Sequence, residues 1–456
     1  MNEAIMRRDV NACALRRSLR VAMCASRWSC RPSLDRIWDQ SAASGRQCAS
    51  EPLKLRRKGL RRDTMLKSGP VAKAQLPLRA RSTRYLPLVV FWQVIILAAG
   101  VAFAMQDVLF AVLGALILLA GLLLTVPVNG RTMPRTLGNR RAYRLRQREF
   151  VEFPDQPQDL VPLGQWLPRL EVTKIKDAHD GEIGIVADGR SWTGILELQS
   201  DLQLFSDRGN LLNLDELAQL TRQDDVTFAG IQVITFTVGA PTRAMLPAGS
   251  PAINSYQEIL DGALPPPAVR RTWLALRLDP RLCLEAVGRR GTGQVGVYAT
   301  LRFGLHRAQA MLKRQGVSTS TLSPQEIVDV LGQATGVSPE PAQQRTVENW
   351  ENLIVDSLVH ESRAVQSFGR NTSDGYQRLL EAVCAAPVMM AITSYTVSPG
   401  EPARGAVRLV SNDLEQAGQG DEAVQLLLPP WVRLGPRGGT QVPGLLATVP
   451  LGRQVD

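Results

Sequence analysis

What this sequence has little of narrows its chemistry first. Three histidines and six cysteines in 456 residues exclude a disulfide-dense secreted scaffold and argue against a histidine-rich metal enzyme. Four of those cysteines, Cys13, Cys24, Cys30 and Cys48, crowd the first fifty positions, where no histidine or second cysteine pair completes a zinc site. His179 sits in an Asp/Gly turn, His306 beside Arg307 and His360 before Glu361. None has a second ligand at metal spacing. HExxH, GxSxG and protein-kinase signatures are missing, and Asp224-Asp225 and Glu340 read as loop acids without a partner pattern. No secretory leader is legible, because the apolar run Val21–Ala25 is too short and closely flanked by charge. No period of 20–50 residues repeats. The reading is no catalytic residue, no metal and no cofactor.

What is present is an ordinary folding composition, 45% apolar and 21% charged, with length for two or three domains at about 150 residues each. The net charge of +11 has to be divided along the chain. Residues 1–64 hold 15 basic and 6 acidic side chains, and residues 65–150 hold 12 and 2. Residues 151–456 are left with 26 basic against 34 acidic, a net of −8. The largest folded part would repel a phosphate backbone, so nucleic acid is not an expected partner. Residues 1–64, Arg-rich and without an apolar period, are expected to be disordered or not natural coding sequence. Met65 reads as the true start and 65–84 as a basic cytosolic segment.

Tyr85–Met105 and Val108–Val128 are two charge-free runs of 21 residues, split only by Gln106 and Asp107. At about 1.5 Å per residue each spans the roughly 30 Å hydrocarbon core, which predicts a transmembrane hairpin, 85–105 and 108–128, in the lipid bilayer. Arginines flank both outer ends: Arg79, Arg81 and Arg84 before, and Arg131, Arg135, Arg140, Arg141, Arg144, Arg146 and Arg148 after. The positive-inside rule then puts both termini in the cytoplasm of a multi-pass protein of the cytoplasmic membrane. Arg84, Tyr85, Trp92, Arg131 and Arg135 read as anchoring and orienting residues. The later arginines are placed to attract inner-leaflet headgroups. Gln93, Gly100, Ala104, Gly114 and Gly121 are candidates for packing between helices in lipid. A hairpin with one polar side chain forms no ion pathway, so it is an anchor or part of something larger.

Residues 129–168 read as a basic and then Pro-rich linker, and 169–456 as a cytosolic mixed α/β domain with a mostly buried sheet. Strands are expected at Leu170–Lys176, Glu182–Ala187, Trp192–Gln199, Phe228–Val238, Thr272–Leu278, Ala364–Phe368, Val388–Val397 and Ala406–Leu409, with a last strand or hairpin at Leu445–Val449. Helices are expected at Leu212–Thr221, Ser255–Leu260, Val297–Arg314, from Ser323-Pro324 to near Gly336, and at Asp374–Cys384. Ahead of the long helix, Gly291, Gly293 and Gly296 in Gly288–Gly296 match the dinucleotide fingerprint literally. The preceding Arg281–Val287 reads as well as a helix as a strand. Gln294 and Val295 replace the P-loop lysine and hydroxyl residue. A plain glycine turn capping a helix is the favoured reading. The alternatives are a membrane-anchored nucleotide-binding or transferase-like enzyme using this turn, and Arg289 and Arg290 meeting an acidic partner surface.

Taken in order, several features resemble one family. They are the close pair of apolar runs with an Arg-rich exit, Trp192-Thr193-Gly194-Ile195-Leu196 and Trp273-Leu274-Ala275-Leu276-Arg277. After these come Arg290-Gly291-Thr292-Gly293 leading into a long helix, Leu322-Ser323-Pro324, the Trp350 segment and Pro450-Leu451-Gly452. From about Met65 onward the series resembles EccE, a type VII (ESX) secretion protein of the actinobacterial cytoplasmic membrane. Residues 1–64 have no counterpart in it. The resemblance implies a non-enzymatic structural subunit of an oligomeric membrane complex with EccB, EccC and EccD. EccC, as the ATPase of such systems, would leave this chain needing no nucleotide site. It also implies an α/β soluble part and carries over no catalytic residues.

Overall fold

The structure, a computed structural model, describes residues 86–105, 107–125, 131–147, 157–176, 181–198, 212–240, 250–260, 268–337 and 345–455. Everything expected of residues 1–85, Gln106, His179, Glu340 and Val128 lies outside these. Helix α1 (Leu86–Ala104) and helix α2 (Val108–Thr125) form an apolar antiparallel pair. Their contact is built from small residues: Ala99, Ala102, Gly114 and Gly121 are buried. A Cβ on Gly114 would meet Ala99 O, Phe103 and Ala102 at 3.2–3.3 Å, and one on Gly121 would meet Ile95 at 3.0 Å. Among the described residues α2 alone is long and apolar enough to cross a membrane by that measure, and the stretch Val89–Ala104 is shorter.

The rest is a mixed α/β domain on one large antiparallel sheet. Its strands are β1 (Glu171–Lys176), β2 (Glu182–Ala187), β3 (Trp192–Leu198), β4 (Gly230–Val238), β5 (Val269–Leu278) and β6 (Thr319–Thr321). They continue with β7 (Thr346–Glu348), β8 (Leu353–Val355), β9 (Leu358–Phe368), β10 (Met390–Val397), β11 (Arg404–Ser411) and β12 (Val432–Leu434). The order across the sheet is β1-β2-β3-β5-β4-β10-β11-β9-β8-β7, with β6 added beside β3 and β12 beside β9. Because both faces are covered, the central strands read as nearly continuous apolar runs. In β5, Leu274, Leu276 and Leu278 enter one core while Trp273 and Ala275 enter the other.

That order is a palindrome. Inward from either edge come a three-strand meander, then a hairpin (β5 with β4, or β11 with β10), with a short strand lying beside the third meander strand. Each half adds a helix after its hairpin and another after its short strand. These are α6 (Gly293–Arg314) and α7 (Pro324–Thr335) in the first half, and α9 (Leu414–Leu427) and α10 (Gln441–Ala447) in the second. The remaining helices of seven or more residues are α3 (Met133–Arg146), α4 (Pro251–Leu260), α5 (Leu284–Arg290) and α8 (Thr372–Ala385). The halves meet head to head along β4 and β10, where Ile231–Thr237 face Val397–Ala391. Corresponding strands turn corresponding residues to the same face: Leu274 of β5 and Val407 of β11 both enter the α5/α6/α8/α9 core. Helices α7 and α10 cover the opposite face with Leu160, Leu163 and Leu167.

Local chemistry explains the helix ends. Ser323 and Glu326 form a reciprocal capping box on α7, which starts with proline and ends at left-handed Gly336. Asn371 and Asp413 cap α8 and α9. Two expected elements differ. Leu445–Val449 is not a strand, since α10 covers it to Ala447. Leu212–Thr221 is helical only over Leu217–Leu220. Helix α3 also occupies a stretch expected to be linker.

The second half contains a buried cation. Arg408 of β11 is 0% exposed, and no carboxylate pairs with it among the described residues. Its guanidinium donates to His360 Nδ1 at 2.8 Å, to Thr448 Oγ1 at 2.8 Å and to the Ala334 carbonyl. Ala334 lies in the last turn of α7 and Thr448 caps the C-terminus of α10, so two negative helix ends stand in for a counter-ion. Burial pushes Arg408 down to about 9, which still leaves it a cation at neutral pH. Burial, and then the Arg408 charge, push His360 well below its usual 6.5. It is therefore neutral and accepts through Nδ1. The unfolded chain takes up a proton near pH 6.5 that the folded chain refuses, so stability present above that value is lost as pH falls through it. Below it the loss is about 1.4 kcal/mol per pH unit. Thermal unfolding followed by tryptophan fluorescence should show a lower Tm at pH about 5.5 than at about 7.5, and His360→Gln should flatten that difference.

Candidate functional site

The most elaborated polar site among the described residues lies where α3 meets the far end of the sheet. Helix α3 begins with Pro134 in its first turn and has no side-chain cap. Its inward face, Thr136, Asn139, Tyr143 and Arg146, is polar and aromatic. Arg146 makes a two-pronged contact with Glu348 of β7, Nε to Oε2 at 2.9 Å and Nη2 to Oε1 at 2.8 Å. The Glu348 side chain is fully buried in this contact. Glu348 Oε1 also accepts from the Val442 N–H in the first turn of α10 at 3.2 Å. The Glu348 carbonyl, at the sheet edge, accepts from Tyr143 Oη at 3.4 Å and Gln147 Nε2 at 2.5 Å. The outer edge of β7 is thus closed by a helix rather than a strand.

An aromatic wedge completes the contact. Tyr143 meets Trp350 edge to face at 5.6 Å between ring centroids, and Arg140 stands over the same indole at 5.9 Å. The Trp350 ring fits because Gly438 and Gly439 follow it. A Cβ on Gly438 would collide with the indole, and one on Gly439 would lie 2.6 Å from it; Gly439 also has φ +77°. Arg131, just before α3, donates to the Gly438 carbonyl, to Pro436 O at 3.0 Å and to Thr440 Oγ1 at 3.2 Å. Burial, and then nearby Arg135, lower its pKa. Three arginines expected to face a membrane, Arg131, Arg140 and Arg146, are therefore engaged with the domain. Arg135 is exposed.

The glycine turn is arranged for packing. A helix, α5, precedes it where the dinucleotide fingerprint needs a strand. Gly291 (φ +149°) and Gly293 (φ +57°) shape the corner. A Cβ on Gly296 would collide with Gly291 O and Val287 O, so its bareness lets α5 and α6 touch. Arg289 and Arg290 both reach Asp225 of the same chain at 2.8 Å. Those bonds, Arg290's first, hold the Asp225 carboxyl well below the usual range. Among the described residues, none of the nearest neighbours of Gly291, Gly293 and Gly296 is an acidic strand residue. No group of three or more metal-ligating side chains occurs among the described residues.

Of the hairpin residues, Gly114 and Gly121 lie in the helix contact. Gly100 has open space beside it, and Ala104 and Gln93 are exposed. Trp92 is half-buried, and Arg84 and Tyr85 fall outside the described residues. The sequence reading missed α3, Glu348 and the Gly438–Gly439 seat. The one available signal was Trp350, whose partner could not be named.

A family model described as "Putative type VII ESX secretion system translocon, EccE" matches residues 266–365, from just before β5 into β9. The matched stretch includes the glycine turn, α6, α7 and the Glu348–Trp350 seat of α3. No curated protein matches the chain. The resemblance read from the order of sequence features is borne out over residues 266–365, where the chain is similar to the EccE family, described as a putative type VII ESX secretion system translocon.

Proposed function

We propose that the chain is a non-enzymatic structural subunit of the type VII secretion membrane complex. In this reading α1 and α2 are the cores of two transmembrane spans, 85–105 and 108–128, in the cytoplasmic membrane, with both termini cytoplasmic. The domain from 169 onward is an interaction platform that stabilises the complex with EccB, EccC and EccD and so supports export. The observation that carries the proposal is the Arg146–Glu348–Trp350 contact. It fixes the domain to the helix that leaves α2, so the chain works as one joined body rather than as an anchor with a loose passenger. Mechanism here means holding: the hairpin sets position, α3 transmits it, and the acidic domain meets neighbours. The glycine turn's arginines are engaged by Asp225, and Gly291 and Gly296 by the α5–α6 contact, which leaves the nucleotide-enzyme alternative without support.

Removing residues 151–456 while keeping the hairpin should leave membrane insertion intact and reduce both co-purifying secretion subunits and export. Glu348→Ala should act in the same direction more mildly, with about 3 kcal/mol lost from the buried ion pair. Unchanged assembly and export after the deletion would defeat the proposal. For the topology, a cysteine placed at exposed Asp107 should react with a membrane-impermeant thiol reagent on intact cells while Cys384 stays unlabelled. The opposite pattern reverses the orientation.

A further inference from the structure

Docking divides the arginines of α3 into two sets. The inward set is described above. On the outward face Met133, Leu137, Arg141 and Leu145 follow one another at helical spacing, with Arg144 beside them. Met133 is 44%, Leu137 56% and Leu145 52% exposed, and Arg135, Arg141 and Arg144 are exposed too. Among the described residues no carboxylate pairs with any of these three arginines. An exposed helix face that alternates long apolar side chains with cations has the composition of a segment lying in a lipid interface. Its position agrees: α3 starts eight residues after α2 ends, within a few residues of where the apolar run stops. The side chains can reach both layers, because arginine keeps its charge among headgroups while neighbouring leucines enter the acyl boundary.

We propose that the outward face of α3 is an anionic-lipid binding surface, with Leu137 and Leu145 entering the interface and Arg141, Arg144 and Arg135 meeting lipid phosphates. The occupant is the lipid surface rather than a partner helix for two reasons. Among the described residues the cations have no acidic counterpart, and the anionic inner leaflet is a nearby surface of opposite charge. Helix α3 is then gripped on one side by Glu348 and Trp350 and on the other by lipid, which sets the height and tilt of the domain. This rests on the membrane reading under Proposed function.

The test uses the full chain reconstituted in vesicles of phosphatidylcholine alone or with about one-third phosphatidylglycerol. A photo-crosslinking residue is placed at Leu137, at Leu113 within α2, or at Leu426, exposed on α9. Leu113 reports insertion and Leu426 the background. The expected result is lipid adducts at Leu137 well above Leu426, increased about five-fold by phosphatidylglycerol. The double change Arg141→Gln/Arg144→Gln should abolish that increase while Leu113 adducts stay constant. Adducts at Leu113 with only background at Leu137 overturn the inference and leave the membrane reading standing. Background at both positions overturns both. Adducts at Leu137 to protein instead of lipid overturn the inference in favour of a helix–helix contact.

Discussion

Glu348 is the carboxylate on which the arrangement of the whole chain depends. One oxygen takes Arg146 and the first turn of α10, the other takes Arg146 again, and the residue's carbonyl closes the sheet edge. A buried carboxylate is tolerable only when its lone pairs are used in this way. The same demand fixes where α3 can lie, which turn can precede α10, and why two glycines follow at 438 and 439. Without α3 the carboxylate would be a buried charge without its cation. Without the glycines Trp350 could not lie against α3.

The strands were legible where physics is local. Runs such as Gly230–Val238 are β-branched and apolar, and the Ser323-Pro324-Gln325-Glu326 start announces α7 through its own capping chemistry. Leu445–Val449 misled because α10 is buried almost all round, and a short apolar run bears no period that tells a helix from a strand. Helix α3 was hidden for the opposite reason: it docks through Asn139, Tyr143 and Arg146, so the face it buries is polar and aromatic rather than an apolar stripe. Three-residue strands such as β7 carry too few side chains to signal anything.

The doubled architecture was invisible for a further reason. Trp192 pairs with Leu278 at the end of β5, and Val359 pairs with Ser411 at the end of β11, so β3 and β9 occupy the same place. Yet Trp192-Thr193-Gly194-Ile195-Leu196 and Val359-His360-Glu361-Ser362-Arg363 share no residue. The first copy keeps an apolar core on this strand. The second admits His360, Glu361 and Arg408: Arg408 donates to His360 Nδ1 and to two helix ends, and Arg437 pairs with Glu361. Backbone pairing and face alternation preserve a topology that side chains no longer record. The candidate site, which lies in the second copy, was correspondingly hard to foresee.

The palindromic sheet also has a mechanical consequence. Ten strands lie on its main path, and at about 4.8 Å between neighbours the β7 edge is separated from the β1 edge by about 43 Å along the sheet. Among the described residues α3 is attached through Glu348, Trp350 and the 436–440 segment, near the β7 end, so the domain resembles a cantilever fixed at one side. A rotation of a few degrees at Trp350 would displace β1 by several ångströms, and a push on β1 would return to α3 as torque. Small changes at the clamp are thereby geared up into large displacements at the opposite rim.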